Sequence, residues 1–261
     1  AVGGDYNFDR DISGPGLITA TGTNAIRLRS PGNAFSGGLT IGSPGIGTYN
    51  GFLALVSTGP QGAGNALGQH CVGGAMIPSN VITVQGGATL ALDGIASLGE
   101  SSVVPQYAPS VVINNSGLRA SGLTFVSNLT LNHAEVTVGT GNGAGFFNTA
   151  LGLVGTVTVG GDSNLATTIV TPTAGPNANI ALGSGALIGT TFNVTDVTGT
   201  AAVDLDVDAV IRNVQELPSS LTKTGLGTMW MRRTNIYTGD TTVQQGELRM
   251  DVACLANTAN V

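Results

Sequence analysis

Charge is scarce in this chain. Only 9% of its 261 residues are Asp, Glu, Lys or Arg, and nine Lys and Arg stand against fifteen Asp and Glu, a net charge of −6. So few cations exclude the clustered basic surface that neutralises phosphates, so nucleic acid is not an expected partner. Low charge together with many β-branched residues also excludes a disordered segment. Two cysteines, Cys71 and Cys254, are too few for a disulfide-built scaffold. They stand either as buried free thiols or as a single bridge, within one chain or between stacked molecules. Of the two histidines, His70 and His133, neither belongs to an HExxH, a serine elbow or a cysteine pair. His70 adjoins Cys71, but neighbouring strand residues point to opposite faces, which separates imidazole from thiol. No metal, cofactor or catalytic residue is therefore expected. No run of eighteen apolar residues is present, so no membrane insertion is expected, and no signal peptide is recognisable. Apolar residues never recur at helical spacing over three turns, and glycine interrupts every window, which leaves no convincing helix.

What is abundant is glycine, 41 residues, with threonine, valine, asparagine and alanine. Glycine does not fall at every third position, which excludes collagen. The pattern is instead one of short Val/Leu/Ile/Thr strands cut by Gly, Asn and Ser corners. About thirteen such strands recur along the chain, an all-β pattern open to a sandwich, a barrel or a solenoid. Among them are Val81 to Val84, Thr89 to Leu92, Ser110 to Ile113, Ser127 to Asn132, Thr156 to Val159, Thr167 to Val170, Thr191 to Val194 and Ala202 to Val207. Residues 61–79 and 140–153 read as glycine-rich loops.

An internal repeat chooses between these folds. From Leu221 to Met250 the chain reads LTKTGLGTMWMRRTNIYTGDTTVQQGELRM. Met229 and Met231 alternate with Thr228, Trp230 and Arg232, the period of a half-buried strand. Thr242, and then Leu248 and Met250, alternate with their neighbours in the same way. Gly225, Gly227, Gly239 and Gly246 supply corners. A degenerate copy lies earlier. Ile18-Thr19-Ala20-Thr21-Gly22 falls under Leu221-Thr222-Lys223-Thr224-Gly225, and Ile26 and Leu28 under Met229 and Met231. Asn33 to Gly37 falls under Asn235 to Gly239, Thr40-Ile41 under Thr242-Val243, and Leu53 and Leu55 under Leu248 and Met250. A unit repeated at about 12–57 and 217–252, with insertions at its corners, is the pattern of a solenoid. With roughly 20–30 residues per coil and about 4.8 Å per coil, some ten coils would form a rod on the order of 50 Å long. Asn and Ser at the corners would form ladders between coils.

LTKTGLGTMWM followed by NIYTGDTTVQQGEL resembles the autotransporter-associated β-strand repeat of bacterial surface proteins. That family runs roughly Lys-x-Gly-x-Gly-Thr, then Asn-Thr-Tyr-Thr-Gly-Gly-Thr-Thr, then Gly-x-Leu. VITVQGGATLALDG, Val81 to Gly94, resembles the strand pair that often follows. Trp230, Arg232 and Arg233 replace small polar residues of the pattern, and Asp240 replaces its second turn glycine. The resemblance implies a right-handed parallel β-solenoid, secreted and extended, within a passenger or giant surface protein.

Three sets of residues are candidate sites. Asp204, Asp206 and Asp208 alternate with Leu205 and Val207, which would put three carboxylates on one outer face. Such a row would hold Ca²⁺, serve acid–base hydrolysis of a glycan, or form a solvated acidic edge that blocks lateral pairing, the last being preferred. Trp230 and Arg232, outward beside Tyr237, would contact a sugar or a protein, or else cover a corner. Asn114, Asn128 and Asn193 stand in Asn-x-Ser/Thr sequons, a frequent coincidence in so threonine-rich a chain.

Both ends fall in mid-pattern. VGGDYNFDRDISG reads as the end of a unit, and Cys254-Leu255-Ala256-Asn257 stops where Asn65-Ala66-Leu67-Gly68 continues in the earlier copy. A piece of a longer protein and a subunit whose ends complete each other both fit. The sequence expectation is thus a single elongated, right-handed parallel β-solenoid over residues 1–261. Its expected role is non-enzymatic: an extracellular rigid spacer or fibre at a bacterial surface, stacking end to end or continuing into a longer chain. The alternatives are an adhesin that binds a glycan or host surface protein, and a polysaccharide-acting β-helix enzyme.

Overall fold

The computed structural model describes residues 6–10, 12–21, 25–28, 34–35, 38–42, 52–55, 71–72, 75–76, 81–92, 109–120, 124–139, 151–161, 165–170, 179–183, 189–214, 217–251 and 255. Among the described residues there are strands and no helix. Ten strands form one sheet and nine a second; a third sheet has four. Every pairing within these three sheets is parallel. The chain is a parallel β-solenoid.

Each coil lays a strand in the nine-stranded sheet and then one in the ten-stranded sheet. Ser220–Thr224 is followed in this way by Thr228–Met231, and Thr241–Val243 by Glu247–Met250. Four middle coils add a third strand: Thr124–Val126, Leu151–Leu153, Asn179–Leu182 and Val210–Asn213. The alternation along each strand decides which face turns inward. In the nine-stranded sheet Val84, Ile113, Leu131, Val159 and Val194 stack in one inner column, all at most 1% exposed. In the ten-stranded sheet Leu90, Leu118, Val136, Ile169, Val207 and Met231 form another. Met229 and Met231 point inward as their alternation predicts. At the last described coil the column runs out: Leu248 is half-buried and Met250 and Val243 are exposed.

The main strands of the two sequence copies occupy the same two sheets, but not in the residue-by-residue match read from the sequence, and Ala34–Phe35 of the first copy pairs instead with Ser13–Gly14 in a small sheet of its own. Ile26 stacks through successive pairs into the column of Met231, not Met229. Ile18 likewise joins the column of Lys223, not Leu221. Both sheets carry the same two-residue displacement. An even shift keeps the same side chains inside, so the pattern survives while the register moves.

Corners account for many of the glycines. Gly225 and Gly246 adopt left-handed φ of 76° and 69°. Gly227 does not; it is needed for space, because a Cβ there would lie 2.4 Å from the Thr195 carbonyl oxygen. At one corner Asn115 and His133 take left-handed φ of 46° and 47°, with Asn115 Oδ1 and His133 Nδ1 3.0 Å apart. Beside them Asn132 Nδ2 donates to Asn114 Oδ1 at 2.7 Å. These are the side-chain ladders expected between coils.

Several segments depart from the sequence reading. Leu151–Leu153, placed there inside a loop, is a strand whose residues are all buried, so no alternation announces it. Gly117–Ala120 is a strand where none was expected. Most of loop 61–79 and residues 140–150 lie outside the described residues, as does Cys254; Cys71 opens a short antiparallel pair with Ala75–Met76.

Candidate functional site

The predicted acidic row is not a row. Asp204 is fully buried, turned inward where a bend enters strand Leu205–Asp208. Strand alternation does not reach it, because it precedes the strand. Its Oδ1 accepts from the Thr198 amide at 2.9 Å and its Oδ2 from the Thr228 amide at 2.7 Å. One carboxylate thereby ties the approach to its own strand to the start of the strand in the next coil. The three-carboxylate set that a calcium ion would need is not assembled. Among the described residues no group of three or more His, Cys, Asp or Glu is placed to hold a metal.

Asp206 and Asp208 do face outward, and each meets an arginine from the next coil. Arg232 Nη2 donates to Asp206 Oδ2 at 2.6 Å. Arg233 binds Asp208 through both Nε and Nη2, the latter at 3.2 Å. The Arg232 guanidinium carbon also lies 3.9 Å from the centroid of the Trp230 ring, and Trp230 Nε1 donates to Asp251 Oδ1 at 3.0 Å. One ring face is thus covered by a cation and the indole N–H is engaged. Beyond them Arg249 donates to Glu247 at 2.8 Å, a bond that holds the Glu247 carboxyl below its ordinary pKa, and reaches the Ala201 carbonyl. The group fastens coil to coil.

Tyr237 was expected outward beside Trp230. It is fully buried, its hydroxyl 2.6 Å from Thr241 Oγ1. The segment around it is not a strand, so alternation gives no guide, and the ring turns into the core. Thr228, also expected outward, is buried at the corner that Asp204 serves.

Sequence reasoning missed the buried cation. Lys223 occupies an inner column directly against Phe192 and is 0% exposed. Its ammonium donates to the carbonyls of Thr224 and Gly225, both at 2.8 Å, and of Gln245 at 3.1 Å. Burial lowers its pKa below 10.5, opposed by the negative charge of Asp204. The signal was legible: Lys223 follows Leu221 by two residues, so both share the inner face. Buried asparagines do similar work. Asn235 Oδ1 accepts from the Ile211 amide at 2.8 Å. Asn213 Oδ1 accepts from Ser219 and Thr238 amides at 3.1 and 2.9 Å.

A cleft of about 510 Å³ opens on the outer face of the ten-stranded sheet. In it Gly117 stands without a side chain between Thr89 and Glu135 in one outward column. Arg119, His133 and Thr168 complete its walls. Of the sequon asparagines, Asn114 and Asn193 belong to side-chain ladders, Asn193 through Thr224, and Asn128 accepts from the Thr156 amide. Comparison with protein-family models, curated proteins and solved structures finds no match for this chain.

Proposed function

We propose that this chain is a stiff structural element: a non-enzymatic extracellular rod or spacer of a bacterial surface, built on the autotransporter-type repeat it resembles. The observation that carries the reading is the ten-stranded parallel ladder, whose consecutive pairings run through all ten strands. Nine steps at about 4.8 Å give an axial length of about 43 Å held by backbone hydrogen bonds. Its side-chain chemistry supports the same role. Asp204 and Lys223 spend their polar groups on backbone amides and carbonyls, Asn213 and Asn235 their amide oxygens, and Asp206 Oδ2, Asp208 and Trp230 meet neighbouring side chains. Growth would follow from the same geometry, since strand Glu247–Met250 pairs on one side only among the described residues, with Met250 exposed. A following coil, from the same chain or a second copy, would cover it. Small-angle scattering across a concentration series tests the reading. An elongated particle whose length grows in whole units with concentration supports a stacking rod; a compact globule at every concentration defeats it.

A second reading, an adhesin for a glycan or host surface protein, has one observation in its favour, the cleft beside Gly117. It rests there rather than on Trp230, whose ring face lies under Arg232. Glycan-array binding that Arg119→Ala abolishes and Trp230→Ala spares would support it; no binding by the parent chain would remove it.

A further inference from the structure

The two large sheets present different outer faces. The ten-stranded face carries Arg119, Glu135, Asp206, Asp208 and Arg249. Among the described residues, the outward columns of the nine-stranded face carry no charge. Along one of them stand Thr83, Val112, Thr130, Thr158, Asn193 and Thr224, each paired directly with the next coil. It begins at Thr19 and Thr40. Two residues back on the last four strands runs a second column, Thr156, Thr191, Thr222 and Thr242. From Thr130 to Thr224 every side chain in the first column is half-buried, standing on a backbone that cannot splay. No hydrogen bond among the described residues takes up the hydroxyls of Thr130, Thr158, Thr191 or Thr222.

We infer that this threonine face binds ordered water, the surface of an ice crystal. The array is two-dimensional and its spacings are set by the fold: about 4.8 Å from strand to strand and about 6.6 Å from residue i to i+2. A tetrahedral water network with O···O of about 2.75 Å has second neighbours about 4.5 Å apart and like layers about 7.3 Å apart. The mismatch is about 0.3 Å per coil, so the three steps from Thr130 to Thr224, or from Thr156 to Thr242, drift by about 0.9 Å, about a third of one O···O contact. Across the columns it is about 0.7 Å, within the swing of a threonine side chain. Threonine supplies what such a lattice needs. The methyl restricts first-layer water, and the hydroxyl both donates and accepts. Because the ladder is rigid before contact, little conformational entropy is lost on binding. A crystalline polysaccharide would favour aromatic rings for stacking on sugars, and the two columns carry none. A charged mineral or membrane surface would need charge.

The test uses the whole 261-residue chain. Its partition into a slowly growing ice front and its thermal hysteresis are compared with those of Thr158→Lys, on the threonine face, and Thr137→Lys, on the ionic face. Circular dichroism melts show that each variant folds. The parent and Thr137→Lys enter the ice, and Thr158→Lys is excluded. Exclusion of the parent overturns the inference. So does equal behaviour of the two variants, or sedimentation of the parent with crystalline cellulose but not ice. A dimer of the parent that Thr158→Lys dissolves, with no ice uptake, assigns the face to a second copy and overturns it too.

Discussion

Asp204→Asn isolates the corner on which two coils depend. The carboxylate is fully buried and accepts two backbone amides, from Thr198 and Thr228, with Lys223 as a nearby counter-charge. Asparagine keeps the shape but has one acceptor oxygen, so one amide must face a donor NH₂. An unpartnered buried donor costs about 1–3 kcal/mol, and replacing a charge-assisted bond by a neutral one costs about 1 kcal/mol more. Lys223 also loses its opposite charge while staying buried, so the total is about 3–5 kcal/mol. The control is Asp206→Asn, whose partner Arg232 lies outside the core at 2.6 Å and whose side chain is 19% exposed. That substitution should cost no more than about 1 kcal/mol. Urea unfolding followed by far-UV circular dichroism reads both. Because long stacks lose two-state cooperativity, the midpoints rather than extrapolated energies are compared. Equal midpoints for the two variants would refute the argument that Asp204 is a corner staple.

Lys223→Met keeps the apolar stem but strands three carbonyl oxygens, for an expected loss of about 2–4 kcal/mol in the same urea assay. Its pH dependence has a definite sign. Burial lowers the folded-state pKa of Lys223 below 10.5, so the unfolded chain binds the extra proton between those values. Stability relative to Lys223→Met should therefore rise with pH through that window; a fall would show that the ammonium is not desolvated. Gly227→Ala places a Cβ 2.4 Å from the Thr195 carbonyl oxygen and 2.8 Å from Asp204 Oδ2, whereas Gly16→Ala meets nothing within 4 Å. Thermal melts should show the first destabilised by about 3 kcal/mol or more and the second unchanged within about 0.5 kcal/mol. Arg232→Ala should lower stability by at most about 1 kcal/mol, and less in high salt, because its ion pair is at the surface.

Period-two alternation made the strands legible wherever one face is inside and the other outside. Val81–Val84 falls where alternation puts it, and the Gly86-Gly87 corner places Thr89–Leu92 after it although Ala91 is buried as well. Alternation gives little guide where both faces are covered or where the chain is not a strand. Leu151–Leu153 has no polar face, so it reads as part of a loop. Tyr237 and Asp204 lie in corner segments, where counting by two says nothing about direction. That is why Tyr237 and Asp204, singled out as outward, turn inward. The register was also illegible. Two copies displaced by two residues keep identical inside–outside patterns, and only hydrogen-bond pairing distinguishes the two matches.

The separation of charge between the faces follows from how a parallel stack uses side chains. In a parallel ladder each residue sits over its counterpart, so like charges repeated coil after coil would repel at about 4.8 Å. The ten-stranded face avoids this by varying the column: Thr168, Asp206, Trp230 and Arg249 succeed one another, and Arg232 crosses to pair with Asp206. The nine-stranded face avoids it by using a neutral residue that tolerates repetition, and threonine also favours the extended backbone. A mixed face can hold coils together by ion pairs but presents no regular lattice. A repeated neutral face gives up ion pairs and becomes periodic. Periodicity is therefore a consequence of the way this chain solves like-charge stacking, and a periodic surface is the kind that a crystalline partner can recognise.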